Sequence, residues 1–189
     1  ARYLSIAGHT MREDKWEKKA YGKGIELRGK TLGIVGFGRI GQHLGVMAKA
    51  IGMDVIAFDI FHIPGIEEQL GIPYVEMDEL LAKADFISVH APAVDGGALI
   101  NAERIAKMKD GVVIINTSRG TNVDEAALLA GLESGKVRAA GLDVYADEPA
   151  TNKALYSHPM VSCTPHIGAA TVEAQKRIGA EIVDIISAF

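Results

Sequence analysis

The sequence predicts an α/β protein, a single domain built on a doubly wound parallel sheet. Three observations predict it. Short apolar runs alternate with helix-like patterns along almost the whole chain, as strand–helix–strand units do. The runs are apolar throughout rather than alternating in and out, as expected where helices cover both faces of a sheet. The unusual polar residues fall where the runs end, in "GFGRIG", "FDI", "VHAP", "NTSRG", "LDVYADEP" and "TPHIG". Those are the carboxyl ends of strands, where such sheets collect ligands.

Taken in order, "ARYLSIAGHTMREDKWEKKA" reads as a helix already under way at Ala1. Its charged stretch "REDKWEKK" is expected to be a solvated face. Trp16 and Tyr21 would lie against a partner subunit or on the domain's own flank. "YGKGIELRGK" is a glycine-rich connector. Strands are predicted at Thr31–Val35, Asp54–Asp59, Phe86–His90, Gly111–Asn116, Ala139–Val144 and Met160–Thr164. Helices are predicted between them at about Ile40–Ile51, Met77–Ala84, Ala102–Met108, Asp124–Ser134 and Thr171–Ala188. The last stops without a glycine cap. Both ends read as cut, which predicts a domain excised from a longer protein: residues 1–30 as first helix and connector, residues 31–189 as the ligand-binding domain proper.

At 189 residues, 48% of them hydrophobic and 23% charged, the chain suits one globular domain with a sizeable core. A net charge of −4 offers no basic footprint for nucleic acid. No apolar run is long enough for a membrane span, and no signal peptide is recognisable. The single Cys163 forms no internal disulfide and no Cys/His spacing suggests a metal, so a reduced, cytoplasmic setting without a metal is expected. Cys163 itself reads as a small core residue.

The glycine loop is the first chemical signal. Gly36 would permit a tight strand-to-helix turn, Gly38 would let the backbone approach a pyrophosphate, and Gly41 would let helix and strand pack closely. The helix N-terminus adds free N–H groups and a positive dipole end. A plain turn is the alternative. Asp59 argues against it, because it ends the next strand 18 residues beyond Gly41, where an acid is expected to hold the adenosine ribose hydroxyls of NAD. Ile60, Phe61 and Ile63 offer no cation for a 2′-phosphate, and only His62 could serve, weakly. The reading is a Rossmann-type fold binding NAD rather than NADP.

Other polar residues suggest chemistry. Arg119 leaves a buried strand and could grip a carboxylate bidentately, or else form a salt bridge. His166 could give or take the proton that accompanies hydride transfer, although a lone histidine is more often structural. Glu148 could orient that ring and favour its protonated form, or be a solvated loop acid like Asp147. Asp143 ends an apolar strand and needs a partner there, which the nicotinamide amide would supply. His90 would edge the cofactor pocket or be a packed, capped histidine. His9, His43, His62 and His158 read as surface residues.

This ordered set of motifs, over essentially the whole chain, resembles the NAD-binding domain of the D-isomer-specific 2-hydroxyacid dehydrogenase family. In that family the domain is inserted within a substrate domain built from the two outer chain segments. The resemblance implies catalytic roles for Arg119, Glu148 and His166: the arginine binds the substrate carboxylate and carbonyl, and the His–Glu pair handles the proton. It implies cofactor contacts at Gly36, Gly38, Arg39, Ile40, Gly41, Asp59, His90, Ala91, Pro92, Thr117, Ser118, Asp143, His166, Gly168 and Ala169. The implied substrate is a small 2-hydroxy or 2-keto acid. Together with Trp16 and Tyr21 the resemblance predicts a homodimer through this domain.

Within the family, "EPATN" and "TPHIGAATVEAQKRIG" are most similar to the D-3-phosphoglycerate dehydrogenase branch, which acts in serine biosynthesis. Glyoxylate/hydroxypyruvate reductases and D-lactate dehydrogenases share the core motifs. A nicotinamide-sensing module, like the corepressors that resemble this family, is the alternative from another class. Alanine dehydrogenases and adenosylhomocysteinases lack the "NTSRG" and "TPHIG" pair.

Overall fold

The computed structural model describes residues 1–188. In chain order the elements are α1 (Leu4–Arg12), β1 (Thr31–Val35), α2 (Arg39–Ala50), β2 (Asp54–Phe58), α3 (Ile66–Leu70), α4 (Met77–Lys83) and β3 (Phe86–Val89). They continue with α5 (Ala102–Lys107), β4 (Val112–Asn116), a 3-10 turn (Gly120–Asn122), α6 (Glu125–Ser134), β5 (Val137–Leu142), α7 (Lys153–Tyr156), β6 (Val161–Cys163) and α8 (Val172–Ser187). All six strands are parallel, in the order β2-β1-β3-β4-β5-β6. Tyr74 adds a one-residue parallel bridge to Ala57 outside β2, a rudimentary seventh position.

The chain runs outward from β1 to β2 and then returns to lay β3 on the other side of β1. This reversal opens a crevice at the carboxyl ends of β1 and β3, where the peptide planes leave room for a ligand. Strand residues alternate between two cores. Leu32, Ile34, Phe86 and Val113 pack with Ala48 of α2 and Ile66 of α3. Val35, Ile87, Val89, Val112 and Ile114 face Leu80 and Leu81 of α4, Ile105 of α5, and Leu128 and Leu132 of α6. Small residues set the spacing: Gly41, Gly45 and Ala48 form the buried stripe of α2. A Cβ at Gly33 of β1 would come within 2.6 Å of Leu80.

Four helix starts are closed by side chains, with Asn101, Asp124, Asn152 and Thr171 each accepting a backbone N–H. Each cap stabilises its helix by about 1 kcal/mol. The N-cap of α2 is Gly38, and no side chain closes it.

Several expectations need correction. The first helix spans only Leu4–Arg12, because Tyr3 and Asp14 take left-handed backbone (φ 57 and 59). Beyond Arg12 the charged run forms turns, having no apolar stripe to bury. Trp16 is 78% exposed, whereas Tyr21 is half-buried and its hydroxyl meets Thr10 Oγ1 at 3.1 Å. The helices α3 and α7 were not expected, since pieces of five and four residues carry no readable period. Cover of the sheet is also uneven. Neither α1 nor α8 contains a buried residue, and a hollow of about 200 Å³ lies between Tyr3 and Ile6 on one side and Val113, Ile115 and Ala139 on the other. Cys163 is exposed on β6, the edge strand, rather than in the core.

Candidate active site

The three glycines of the loop meet different demands. Gly36 has φ +94, and a Cβ there would lie 2.5 Å from the Ala91 nitrogen, so β1 and the loop after β3 touch through it. At Gly41 a Cβ would lie 2.4 Å from the Gly36 carbonyl oxygen, so only glycine lets α2 start this close to β1. Nothing of the chain lies within 4 Å of a Cβ at Gly38, whose φ is −74. The fold itself therefore does not demand glycine at Gly38, and the space in front of it stays open to the cleft. With Arg39 and Ile40 in the uncapped first turn of α2, the loop offers the cradle of backbone donors that a pyrophosphate requires.

The cleft beside this loop measures about 350 Å³. Ile60, Phe61, Ile63 and Val94 form its apolar wall, and His90, Ala91 and Pro92 close the far side. No lysine or arginine lines it. Asp59 stands at its mouth with both oxygens engaged: Phe37 N–H donates to Oδ2 at 2.6 Å and Phe61 N–H to Oδ1 at 3.0 Å. The acid thus holds the glycine loop and the apolar wall together while keeping further lone pairs for ribose hydroxyls. His62 has a partner after all: it stacks on Tyr74 with centroids 4.0 Å apart, and it is not among the cleft residues. His90 is half-buried with Nε2 at 2.8 Å from Ser88 Oγ, and burial holds its pKa below the ordinary histidine value. It is a packed, neutral wall residue.

At the carboxyl end of β4, Thr117 and Arg119 are exposed and Ser118 is half-buried. Asn116 closes the turn around them. Its Oδ1 accepts from Ser118 N–H at 3.1 Å and Ser118 Oγ at 2.9 Å, and its Nδ2 donates to the Arg119 carbonyl at 2.9 Å. Gly120 is required by contact, because a Cβ there would fall 1.7 Å from the Tyr145 carbonyl oxygen. The arginine loop and the loop carrying Glu148 are therefore in backbone contact.

Asp143 is 5% exposed and has three donors within the chain. Thr164 Oγ1 donates to it at 2.5 Å, Ile167 N–H at 2.9 Å and Gly168 N–H at 2.8 Å. Burial pushes its pKa up, but these donors and the nearby His166 outweigh burial and hold it below the ordinary value of 3.8. Asp143 is the anchor of the "TPHIGA" loop. On that loop His166 has φ 52, a strained backbone for a non-glycine residue, and its Nδ1 lies 2.7 Å from Glu148 Oε2. Gly168 and Ala169 follow, exposed beside the crevice.

The hydrogen bond from His166 holds the Glu148 pKa below its ordinary value. Glu148 Oε1 also accepts from Tyr145 N–H at 3.3 Å, and Tyr145 donates its hydroxyl to the Thr164 carbonyl at 3.0 Å. Burial helps push the Tyr145 hydroxyl up to about 12, so it stays a donor. Arg119, Glu148 and His166 line one cleft of about 380 Å³, bounded by Ala93, Gly120 and Tyr145.

Sequence reasoning missed Asn116, Asn122 and Tyr145. The signal for Asn116 was an amide closing the apolar run "VVIIN"; the other two carried none. His9 and His43 are exposed as expected, and Asp147 bonds only to Thr151. His158 is half-buried and accepts from Met160 N–H. Among the described residues no cluster of potential metal ligands exists, and no helix is long and apolar enough to cross a membrane.

A family model described as "D-isomer specific 2-hydroxyacid dehydrogenase, NAD binding domain" matches residues 1–168. The chain is 50% identical to a hydroxypyruvate reductase of Thermotoga maritima, over 98% of this chain and 61% of that protein. It is 45% identical to a D-3-phosphoglycerate dehydrogenase of Mycobacterium bovis, over 98% of this chain and 35% of that protein. A D-lactate dehydrogenase from Aquifex aeolicus, solved with NAD and lactic acid, superposes with TM-score 0.87 at 34% identity, covering all of this chain and 61% of that one. The chain thus spans between a third and six tenths of these relatives. Its glycine cradle, acidic strand end and matched length agree: the chain belongs to the D-isomer specific 2-hydroxyacid dehydrogenase family and forms its NAD-binding domain.

Proposed function

We propose that the protein carrying this domain is an NAD-dependent dehydrogenase acting on the CH–OH of D-2-hydroxy acids. The observation that carries this reading is the convergence of Arg119, Glu148 and His166 on one cleft, which reaches Ala93 between Pro92 and Val94 of the cofactor cleft. NAD, when bound, supplies the hydride exchange with C2 of the substrate. The chain's own residues do the rest. The Arg119 fork offers planar, bidentate donors to the substrate carboxylate and carbonyl. Glu148 occupies His166 Nδ1 and leaves Nε2 to deliver a proton to the substrate oxygen in reduction, or accept it in oxidation. Gly38 and the first turn of α2 hold the pyrophosphate, and Asp59 the ribose.

For the substrate, we propose a three-carbon acid with a polar tail. D-3-Phosphoglycerate is the first choice on the motifs after Glu148, and hydroxypyruvate is the second, favoured by the Thermotoga maritima relative. Exposed Leu4, Met11 and Trp16 on the first segment support a homodimer through this domain. The exposed thiol of Cys163 suits a reducing, cytoplasmic setting.

The test is the full-length protein assayed with NADH against glyoxylate, pyruvate, hydroxypyruvate and 3-phosphohydroxypyruvate. Turnover of at least one supports the proposal, and inactivity on all four leaves the nicotinamide-sensing module as the better reading. The 189-residue chain by itself should bind NAD yet turn over little, since the family's substrate domain completes the cleft.

A further inference from the structure

Asn122 ends the 3-10 turn that follows Arg119, and it is fully buried. Its amide nitrogen donates to the Ala91 carbonyl oxygen at 2.9 Å and to Ser118 Oγ at 3.1 Å. A carbonyl oxygen only accepts, so the nitrogen must face Ala91, and this fixes the orientation of the amide. Its Oδ1 is then left without a partner, the one buried side-chain polar atom so placed among the described residues. An unpaired buried acceptor costs stability. Packing alone therefore does not account for an asparagine here; leucine, of the same branched shape, would fill the space, but it would take the donor away from Ala91 and Ser118.

What leucine could not do is join the two loops. Ala91 walls the cofactor cleft and touches Gly36 of the glycine loop. Ser118 is the residue before Arg119, and its hydroxyl is fixed from the other side by Asn116. The Asn122 backbone N–H also donates to the Arg119 carbonyl at 3.1 Å. One buried side chain thus pins the arginine loop to the cofactor wall.

We infer that Asn122 is a positioning residue for Arg119, setting the distance between the arginine fork and the cofactor cleft. The inference rests on the proposed dehydrogenase function. Misplacement of a binding group by about 1 Å is enough to cost large factors in rate or affinity, and a loop released from Ala91 has that freedom.

The experiment uses the full-length enzyme with saturating NADH and whichever of the four 2-keto acids above it reduces fastest. Asn122→Leu should raise KM for the keto acid about tenfold and change kcat and the NADH KM by less than about threefold, in a variant whose melting curve shows that it remains folded. In an Arg119→Lys background the same substitution should add little, because the two residues act as one unit. Asn122→Ser, shorter but still a donor, covers the case in which leucine prevents folding, and should fall between the two. An unmoved KM in a folded variant overturns the inference. So does an equal rise in the Arg119→Lys background, which would mark Asn122 as merely structural. An unsubstituted enzyme inactive on all four acids overturns the proposed function and this inference with it.

Discussion

His166 Nδ1 and Glu148 Oε2 lie 2.7 Å apart although 18 residues separate them in sequence. The contact commits one ring nitrogen to the carboxylate and leaves the other for chemistry. Both side chains are partly exposed (51% and 40%), so the pair adds little to stability. Its consequence is orientation.

From this follows a split between two variants of the full-length enzyme. His166→Ala should lower kcat by about 100-fold or more, the usual contribution of a general acid, while NADH affinity changes little. Arg119→Ala should raise KM for the keto acid as well, because it removes the carboxylate's partner. Near-full activity in His166→Ala would refute the assignment.

The glycine loop allows a cleaner separation of fold from function. Gly38 has room for a methyl group and an ordinary φ, so Gly38→Ala should keep or raise the melting temperature by restricting the unfolded chain. The same change should weaken NAD binding by about tenfold or more, as the methyl group occupies the pyrophosphate's approach. Gly41→Ala should instead lower the melting temperature, since its Cβ meets backbone at 2.4 Å. Calorimetric titration with NAD alongside thermal melts would decide; unaltered affinity in Gly38→Ala would place the pyrophosphate elsewhere.

Cofactor selection is expected to depend on Asp59. No cation lines the cleft to meet a 2′-phosphate, and a carboxylate beside that phosphate repels it. NADP should bind at least about tenfold more weakly than NAD. Asp59→Ala should weaken NAD more than NADP, and by more than the ribose bonds alone, because Phe37 and Phe61 lose their acceptor. Equal affinity for the two cofactors in the unsubstituted chain would contradict this.

Asp143 gives a pH-dependent prediction. Its folded pKa lies below the ordinary 3.8, so the unfolded chain binds this proton more readily. The stability it contributes is complete above the ordinary value and is lost as pH falls through the folded one. Asp143→Asn turns an amide N–H₂ toward a backbone donor and should cost about 1–3 kcal/mol at neutral pH. Melts followed from pH 7 down to 2 should converge for the two proteins at the acid end. A constant gap across that range would mean the carboxylate's charge plays no part.

Much of this domain was legible in the sequence because the relevant physics is local. A parallel strand buried on both faces must be apolar along its length, and Thr31–Val35 was predicted and found with the same bounds. A left-handed turn in which a Cβ would strike backbone must be glycine, so the loop showed itself at Gly36. Arg119, Glu148 and His166 could be singled out as candidates because each follows a strand, and strand ends gather on one edge of a parallel sheet.

Tertiary structure alone decided the rest, wherever a residue's meaning lay in a neighbour distant along the chain. Asp143 read as a strand-end carboxylate in need of a partner, and the loop 21 to 25 residues later supplies three donors. Cys163 looked buried by its apolar surroundings, but β6 is an edge strand and strand order is not written in periodicity. Asn122 gave no signal at all, because its principal partner, Ala91, is 31 residues away. The sequence by itself determined the six strands and the longer helices between them, the candidate cofactor cradle and the identity of the chemical groups. Which carboxylate orients a histidine and which anchors a loop was decided by through-space distance, which local patterning does not encode.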